Sequence, residues 1–288
     1  MHEYVSFNQK IMRAEDASIS AAASAALYGR GVFTTAVIYD AKPFLWEKHW
    51  RRLSGNAEKL GIDLSEYTEE TVWRTLNEIS GANNLTNARI RLTFFDEMSG
   101  GIWSFTSKRK INLLIMTADL REISDNFRLT VSPFPINSAS PLANIKSCNY
   151  LEKVLALEEA KKRGFDEAVQ TNERGEIVSA CMANVFWLEG GKLFTPSLRT
   201  GCLAGTTREF LMEKARCVEI KTGLETLRKA DAIFLTSAGI GIVQVGEFEN
   251  RKFELKFDNI TQAIPNNYPR KNTNQSENKY FRKLRVIS

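Results

Sequence analysis

Apolar residues recur every three or four positions in several segments, which is the spacing of one face of a helix. The clearest case is Glu47–Leu60, where Trp50, Leu53, Ala57 and Leu60 share a face. The predicted helices are Glu47–Leu60, Glu69–Ile79, Tyr150–Arg163, Thr206–Lys214 and Leu224–Lys229. A glycine directly follows the third of these helices, and glycine is typical of a helix end.

Short runs of β-branched and apolar residues between turn residues indicate strands. The predicted strands are Tyr4–Phe7, Val32–Ile38, Pro43–Leu45, Ala88–Phe95, Ile111–Ala118, Phe127–Ser132, Glu167–Thr171, Ile177–Ala180, Val185–Leu188 and Ala232–Thr236. Helices and strands occur in both halves of the chain. We therefore expect an α/β (α+β) protein.

The polar segment Asp119–Asn126 changes the character of the chain and predicts a domain boundary. The expected units are an N-terminal α/β domain over residues 1–118, a linker over 119–126 and a second domain over 127–264. Residues 265–288 are predicted to form a basic, flexible tail. Ser99, Gly100 and Gly101 predict a flexible loop within the first domain.

Composition narrows the class of protein. With 288 residues, 43% of them hydrophobic and 25% charged, the chain is long enough for two domains with buried cores. The first residues contain no hydrophobic segment, so we expect no secretory signal, and no apolar run is long enough for a membrane span. A cytoplasmic protein is therefore expected.

Charge and cysteine spacing exclude other classes. Much of the excess positive charge behind the net +5 lies in the tail, so nucleic acid is not the expected partner. The four cysteines are too far apart for a paired metal site, and the chain has two histidines, so no metal is expected. The cysteines are Cys148, Cys181, Cys202 and Cys217. We expect them to be reduced and to act as small packing residues.

Lys146 is the first candidate for chemistry. It lies between apolar and small residues just before the predicted helix Tyr150–Arg163. Burial disfavours the ammonium form, lowers the pKa of the amine and leaves it able to form a Schiff base with a carbonyl.

Four separated segments together resemble the class IV aminotransferase superfamily of pyridoxal phosphate enzymes. They are Tyr28–Ala36, His49–Leu53, Ile145–Leu155, and Gly175–Trp187 continuing through Thr195-Pro196 to Gly201–Arg208. The resemblance implies a two-domain fold with pyridoxal 5'-phosphate between the domains, so that residues 127–264 form the cofactor-binding domain. It also implies a homodimer that acts on a small molecule bearing an amino group.

The resemblance assigns residues to the parts of a pyridoxal phosphate site. Lys146 corresponds to the Schiff-base lysine, and Tyr150 to a tyrosine beside the cofactor. Arg52 and the segment Gly205-Thr206-Thr207 correspond to the phosphate site, because a guanidinium and a helix N-terminus both suit a dianion. Ser237, after the last buried strand, is a further cofactor-binding candidate.

Ser179 departs from the superfamily pattern, which places a glutamate opposite the pyridine nitrogen in a Gly-x-(Ile/Val)-x-Glu segment. A carboxylate keeps this nitrogen protonated, whereas a hydroxyl hydrogen-bonds a neutral ring and hardly protonates it. The ring then withdraws electrons less strongly. Transamination should suffer most from this change, and a reaction with its own driving force should suffer less.

The closer resemblance is to 4-amino-4-deoxychorismate lyase, which releases pyruvate and forms p-aminobenzoate for folate biosynthesis. It rests on Phe33–Ala36, on Ile145-Lys146-x-x-Asn149 with Leu151–Leu155, and on Cys181–Trp187. In this lyase the lysine also moves a proton, so Lys146 and Thr35, or the adjacent Thr34, are the catalytic candidates.

Other features leave alternatives open. Ala23 and Arg30 stand where related enzymes have aspartates, and Arg30 is either a source of positive charge for the substrate or an exposed turn residue. Tyr150 matches the Asn-Tyr-Leu of branched-chain aminotransferases. A class IV aminotransferase for a branched-chain, D- or other small amino acid is therefore the alternative function. A binding protein that keeps the cofactor without catalysis is a third.

Overall fold

The computed structural model describes residues 1–98 and 109–254. Its first half forms one antiparallel six-stranded sheet with the order β2-β1-β6-β5-β3-β4. The strands are β1 (Tyr4–Phe7), β2 (Lys10–Arg13), β3 (Gly31–Tyr39), β4 (Lys42–Pro43), β5 (Ala88–Asp96) and β6 (Ile111–Ala118). The central strand β5 pairs with both β3 and β6 over eight residues, which makes this part of the sheet the rigid platform beneath the site described below.

Three helices accompany this sheet: α1 (Ser24–Tyr28), α2 (Trp46–Lys59) and α3 (Glu69–Ala82). Helix α2 buries Trp46, His49, Leu53 and Ala57, which recur at three- and four-residue spacing. The apolar members pack with β-branched and aromatic side chains of β3 and β5 in one core. The N-terminus of α3 is closed by a capping box between Thr68 and Thr71.

The second half contains two five-stranded sheets, with the orders β16-β15-β7-β8-β9 and β12-β11-β10-β13-β14. The first sheet comprises β7 (Arg128–Val131), β8 (Glu167–Thr171), β9 (Ile177–Ala180), β15 (Glu247–Phe248) and β16 (Arg251–Lys252). The second comprises β10 (Asn184–Glu189), β11 (Lys192–Pro196), β12 (Cys217–Ile220), β13 (Ala232–Ser237) and β14 (Gly241–Gln244). The helices of this half are α4 (Leu151–Lys162), α5 (Thr206–Lys214) and α6 (Glu225–Lys229).

The two five-stranded sheets share a core. Val169 and Ile177 from one sheet pack in the same cluster as Val185, Trp187 and Ile233 from the other. An isolated bridge joins Val32 of β3 in the first half to Ser147 in the second. It attaches the segment that carries Lys146 to the six-stranded sheet.

Most predicted elements are present within one to three residues at each end, and the mixed α and β class is confirmed. The predicted strand Pro43–Leu45 is wrong, because Leu45 has a left-handed backbone (φ 55°) and the strand consists of Lys42–Pro43 alone. Helix α1 and the strands β2, β11, β12, β14, β15 and β16 were not predicted. Two of these, β2 and β12, are edge strands of four residues that are mostly exposed.

Other predictions stay predictions. The predicted loop at Ser99–Gly101, residues 255–264 of the second domain and the basic tail 265–288 lie outside the described residues.

Among the described residues, no helix is long and apolar enough to cross a membrane. All four cysteines are free thiols, and Cys181 and Cys202 are buried.

Candidate active site

A cavity of about 330 Å³ lies where the six-stranded sheet meets the second half of the chain. All eight residues predicted for the site line it. They are Thr35, Arg52, Lys146, Tyr150, Ser179, Thr206, Thr207 and Ser237. These residues come from positions far apart in the sequence, so the fold brings together what the four segments indicated separately.

The backbone around Lys146 is tied to strand β3. The amide N–H of Phe33 donates to the Lys146 carbonyl oxygen (3.0 Å), and the amide N–H of Cys148 donates to the Gly31 carbonyl oxygen (2.8 Å). These bonds fix where the half-buried lysine side chain enters the cavity. Burial, followed by the positive charges of Arg52, Lys153 and Arg91, holds the pKa of the Lys146 amine well below its usual value. This shift favours the neutral, nucleophilic form of the amine.

Tyr150 is the nearest polar neighbour of this amine. The Lys146 Nζ atom donates to the Tyr150 hydroxyl oxygen at 3.3 Å, and it lies 4.3 Å from the centroid of the Phe33 ring. The Phe33 and Tyr150 rings pack edge to face. Burial, followed by the charge of Glu167, raises the pKa of the Tyr150 phenol to about 12, so the phenol stays protonated at neutral pH.

The two threonines of strand β3 lie on opposite faces of the strand. Thr35 is half-buried and lines the cavity. Thr34 is fully buried on the other face, where its hydroxyl oxygen accepts from Arg52 Nη2 (2.9 Å) and lies 2.7 Å from His49 Nδ1. Of the two candidates, Thr35 is therefore the one at the cavity, while Thr34 orients Arg52.

Arg52 is held by two hydrogen bonds and retains free donor capacity. Besides Thr34, it donates from Nη1 to the Ala204 carbonyl oxygen (3.3 Å). Its Nε atom is buried and has no partner among the described residues. Burial lowers the pKa of the Arg52 guanidinium to about 10, so it remains charged at neutral pH.

Helix α5 begins at the cavity, directly opposite this arginine. Gly205 caps it without any side-chain hydrogen bond, so the first backbone N–H groups keep their donor capacity. Thr206 and Thr207 are buried and line the cavity with Gly205. A Cβ atom at Gly205 would overlap the side-chain oxygen of Asn184, so the loop needs glycine here.

Ser179 lies on β9, is 5% exposed and lines the cavity. Among the described residues, no aspartate or glutamate lines the cavity with it. The serine that stands here in place of the superfamily glutamate is therefore not compensated by a carboxylate elsewhere in the lining.

Four further basic residues line the cavity that the sequence reasoning missed: Arg89, Arg91, Arg121 and Lys153. Arg89 donates from Nε to the Asp119 carbonyl oxygen (2.8 Å), and the Arg91 guanidinium stacks 3.7 Å from the centroid of the Phe33 ring. The alternation of Arg89 and Arg91 along β5 was a usable signal, because alternate residues of a strand share a face. Arg121 and Lys153 carried no local signal.

Arg30 does not line this cavity, and its interpretation as an exposed turn residue is wrong. Its Nε atom lies 3.6 Å from the Asp96 carboxylate, which is fully buried. Arg30 is therefore a half-buried side chain beside a buried carboxyl group at the end of β5. Its role as a source of positive charge for the substrate stays a prediction.

The cavity residues fit a dianionic cofactor with a carbonyl group. Six basic side chains line the cavity, and none of them forms an ion pair with a carboxylate of the described residues. Arg52, with its unpartnered Nε atom, and the N-terminus of α5 suit a phosphate. Lys146 supplies the amine, and Ser179 offers a hydroxyl.

Comparison with known proteins places the chain in a family. The family model described as amino-transferase class IV matches residues 31–248. The aminodeoxychorismate lyase of Bacillus subtilis is 29% identical over 266 residues, which cover 89% of this chain and 90% of that protein. The branched-chain-amino-acid aminotransferase of Salmonella typhimurium is 27% identical over 272 residues, which cover 85% of this chain and 87% of that protein.

Solved structures agree on the fold. The crystal structure of the branched-chain aminotransferase from Thermoproteus uzoniensis superposes with a TM-score of 0.85 at 24% identity, covering 91% of this chain and 93% of that one. Both activities occur among these relatives, and both use pyridoxal phosphate. The chain belongs to the class IV aminotransferase family of pyridoxal phosphate enzymes.

Proposed function

We propose that this protein is a lyase of the 4-amino-4-deoxychorismate lyase type, which converts its substrate into p-aminobenzoate and pyruvate. The observation that carries the proposal is the lining of the cavity, where six basic side chains surround Ser179 without any carboxylate of the described residues. A substrate with two carboxylates suits such a lining. The B. subtilis relative with the same named activity supports it.

Pyridoxal phosphate, when bound, supplies a carbonyl that condenses with amines and a ring that withdraws electrons. In the proposed site Arg52 and the N-terminus of α5 bind the phosphate. Lys146 forms the covalent link, and Tyr150 donates a hydrogen bond near it. Ser179 hydrogen-bonds the pyridine nitrogen.

The proton transfer is assigned to Lys146. In its neutral form the Lys146 Nζ atom would accept the proton from the substrate ring carbon that bears the amino group. The electron pair left behind makes the ring aromatic as the C–O bond to the pyruvyl group breaks. The released enolpyruvate takes up a proton and becomes pyruvate, so the reaction balances without a second substrate.

The remaining arginines are assigned to the substrate. Arg89, Arg91 and Arg121 bind its carboxylates, and the stacking of Arg91 on Phe33 fixes the guanidinium plane. Thr35, on the same strand as Phe33, is placed to assist Lys146 through its hydroxyl group.

The test is direct. Purified protein is loaded with pyridoxal phosphate and given aminodeoxychorismate, and p-aminobenzoate and pyruvate are measured separately. Equal amounts of both products, absent with Lys146→Ala, support the proposal. Absence of p-aminobenzoate overturns it.

The alternative is a class IV aminotransferase, and one observation favours it. The Tyr150 phenol lies beside Lys146, where the aminotransferase resemblance places a tyrosine. Under this alternative, L- or D-amino acids without a keto acid convert the loaded protein to the pyridoxamine form. Ser179→Glu should then raise the rate of that conversion, and an unchanged spectrum rejects the aminotransferase.

We further propose a cytoplasmic homodimer of two-domain subunits divided at residues 119–126. The six-stranded sheet uses residues before this segment and the other two sheets use residues after it. Leu151 and Leu155, one turn apart on α4, are 63% and 48% exposed, and Leu27 is 57% exposed. A second copy that covers these side chains explains them. Molar mass in solution by light scattering tests the dimer.

A further inference from the structure

Lys153 lies in the cavity without a role in the proposed reaction. It is the third residue of α4 and lines the same cavity as Ser179. Its Nζ atom donates to Gln170 Oε1 at 3.4 Å. No carboxylate of the described residues forms an ion pair with it.

Gln170 connects this lysine to Ser179. The two residues are direct partners across strands β8 and β9, so their side chains lie on the same face of the sheet. Gln170 is 1% exposed, and its Nε2 atom donates to the Phe134 carbonyl oxygen at 3.4 Å. With its amide nitrogen bound there, Gln170 presents its amide oxygen to the Lys153 Nζ atom, on the face of the sheet that it shares with Ser179.

The other titratable groups around Lys153 do not cancel its charge in the cavity. Burial lowers the pKa of the Lys153 amine, and Cys181, Glu167, Cys202 and Glu152 oppose that shift. Glu152 is exposed, and neither it nor Cys202 lines the cavity. Burial, followed by Glu167, raises the pKa of the Cys181 thiol to about 12, so this thiol is neutral. Glu167 is buried, accepts from the Met182 amide N–H (3.1 Å) and does not line the cavity. The neighbouring Arg121 adds positive charge rather than compensating it.

We propose that Lys153 is a positioning residue that, together with Ser179, keeps the pyridine nitrogen of the bound cofactor unprotonated. This inference rests on the proposed contact between Ser179 and that nitrogen, and it holds for either reaction. A nearby cation disfavours a second positive charge on the ring. The hydroxyl of Ser179 and the ammonium of Lys153 are both donors, and they stabilise a nitrogen that keeps its lone pair.

Ser179, a departure from the superfamily pattern, and Lys153, a residue of the same cavity lining, then act in the same direction. A serine at position 179 removes the group that would hold a proton on the ring. A lysine at position 153 adds a charge that opposes protonation. Both residues therefore make the cofactor ring withdraw electrons less strongly, Ser179 by lacking a carboxylate and Lys153 by adding a positive charge.

The experiment is nitrogen NMR on the full-length protein loaded with pyridoxal phosphate labelled with ¹⁵N in the ring. The chemical shift of this nucleus reports its protonation without substrate, and it is followed as a function of pH. The wild-type protein should show the unprotonated signal at neutral pH. In Lys153→Met the nitrogen should take up its proton at a pH higher by about one unit or more.

Three variants complete the design. Lys153→Arg keeps the charge and should retain the wild-type titration. Lys161→Met removes an exposed lysine from the last turn of the same helix and should leave the titration unchanged. The double variant Ser179→Glu with Lys153→Met should give the protonated signal and calibrates the scale.

A protonated ring in the wild-type protein at neutral pH, or identical titrations of wild type and Lys153→Met, would overturn the inference. The same samples are assayed for p-aminobenzoate. An unprotonated ring without p-aminobenzoate rejects the lyase and keeps the inference. A protonated ring together with formation of p-aminobenzoate keeps the lyase and rejects the inference.

Discussion

The Nε2 atom of His49 lies 3.2 Å from the hydroxyl oxygen of Thr206, which links helix α2 to the N-terminus of helix α5. Burial, followed by the charges of Arg52 and Lys146, holds the pKa of His49 well below its usual value, so the imidazole is neutral. A neutral imidazole donates from one nitrogen and accepts at the other.

The hydrogen bonds around His49 indicate which atom donates in each pair. Because Arg52 donates to the Thr34 hydroxyl oxygen, we assign the Thr34 hydroxyl as the donor to His49 Nδ1. With this tautomer the Nε2–H group of His49 donates to Thr206, and the Thr206 hydroxyl hydrogen is left for a ligand. Both sides of the proposed phosphate site therefore depend on one histidine.

His49→Ala should weaken the binding of pyridoxal phosphate by about tenfold, because the orientation of Thr206 and of Arg52 relaxes together. The dissociation constant is measured by fluorescence titration. His2→Ala, at the other histidine of the chain, should leave it unchanged. Equal affinity in His49→Ala and wild type would show that the link is dispensable for phosphate binding.

Arg51 and Arg52 form a matched pair for testing the phosphate role. Arg52 carries a buried, unpartnered Nε atom, whereas Arg51 is 65% exposed and pairs with Glu209 on the surface. Arg52→Ala should raise the dissociation constant of pyridoxal phosphate by about tenfold or more, and Arg51→Ala should change it by less than about twofold. Equilibrium dialysis measures both. A larger effect at Arg51 contradicts the assignment.

The sequence predicted the candidate site better than it predicted the charge around it. Lys146, Arg52 and Thr206 lie in segments whose order and spacing resemble the family, so their meeting in one cavity could be expected. Arg121 and Lys153 lie in a polar linker and on a helix. Nothing in their immediate neighbours marks them, because only the tertiary fold brings these elements to one cavity.

The elements of the fold also differ in this way, because some follow from local sequence spacing and others depend on distant pairing partners. Helix α2 was predicted to within one residue because its apolar spacing is regular. The strand predicted at Pro43–Leu45 is wrong because the left-handed backbone of Leu45 turns the chain into α2. Strand β12 was missed because it is an edge strand that pairs in parallel with β11 and is largely exposed. Pairing partners far along the chain decide such strands.

Gly205 should be intolerant of a side chain. Gly205→Ala places a Cβ against the side-chain oxygen of Asn184, whose Nδ2 atom donates to the Leu203 carbonyl oxygen (2.8 Å). The free energy of unfolding should fall by about 1–3 kcal/mol, and affinity for pyridoxal phosphate should fall with it. Urea unfolding measures the first quantity.

Gly81 provides the control for that substitution. It lies near the end of α3, and a Cβ there meets no neighbouring atom within 4 Å. Gly81→Ala should therefore raise the free energy of unfolding by about 0.5–1 kcal/mol, because alanine favours the helix. If both substitutions shift the free energy of unfolding in the same direction, overlap with Asn184 does not explain the effect at Gly205.

Glu167 should make stability depend on pH. Its side chain is fully buried, and burial raises the pKa of the carboxyl group from 4.5 to about 7. Between these values the folded protein keeps a proton that the unfolded chain has lost, so the free energy of unfolding falls as the pH rises through this window. Above it, the charged carboxylate costs about 3 kcal/mol.

Glu167→Gln removes this cost and keeps an oxygen that can accept from the Met182 amide. The variant should be more stable than wild type at pH 8, by up to about 3 kcal/mol, and the difference should disappear at pH 4, where both states of wild type are largely protonated. Urea unfolding at the two pH values measures it. Glu158→Gln, at an exposed position of α4, should show no such dependence. If Glu167→Gln is instead less stable than wild type at pH 8, the cationic neighbours stabilise the Glu167 carboxylate more than burial disfavours it.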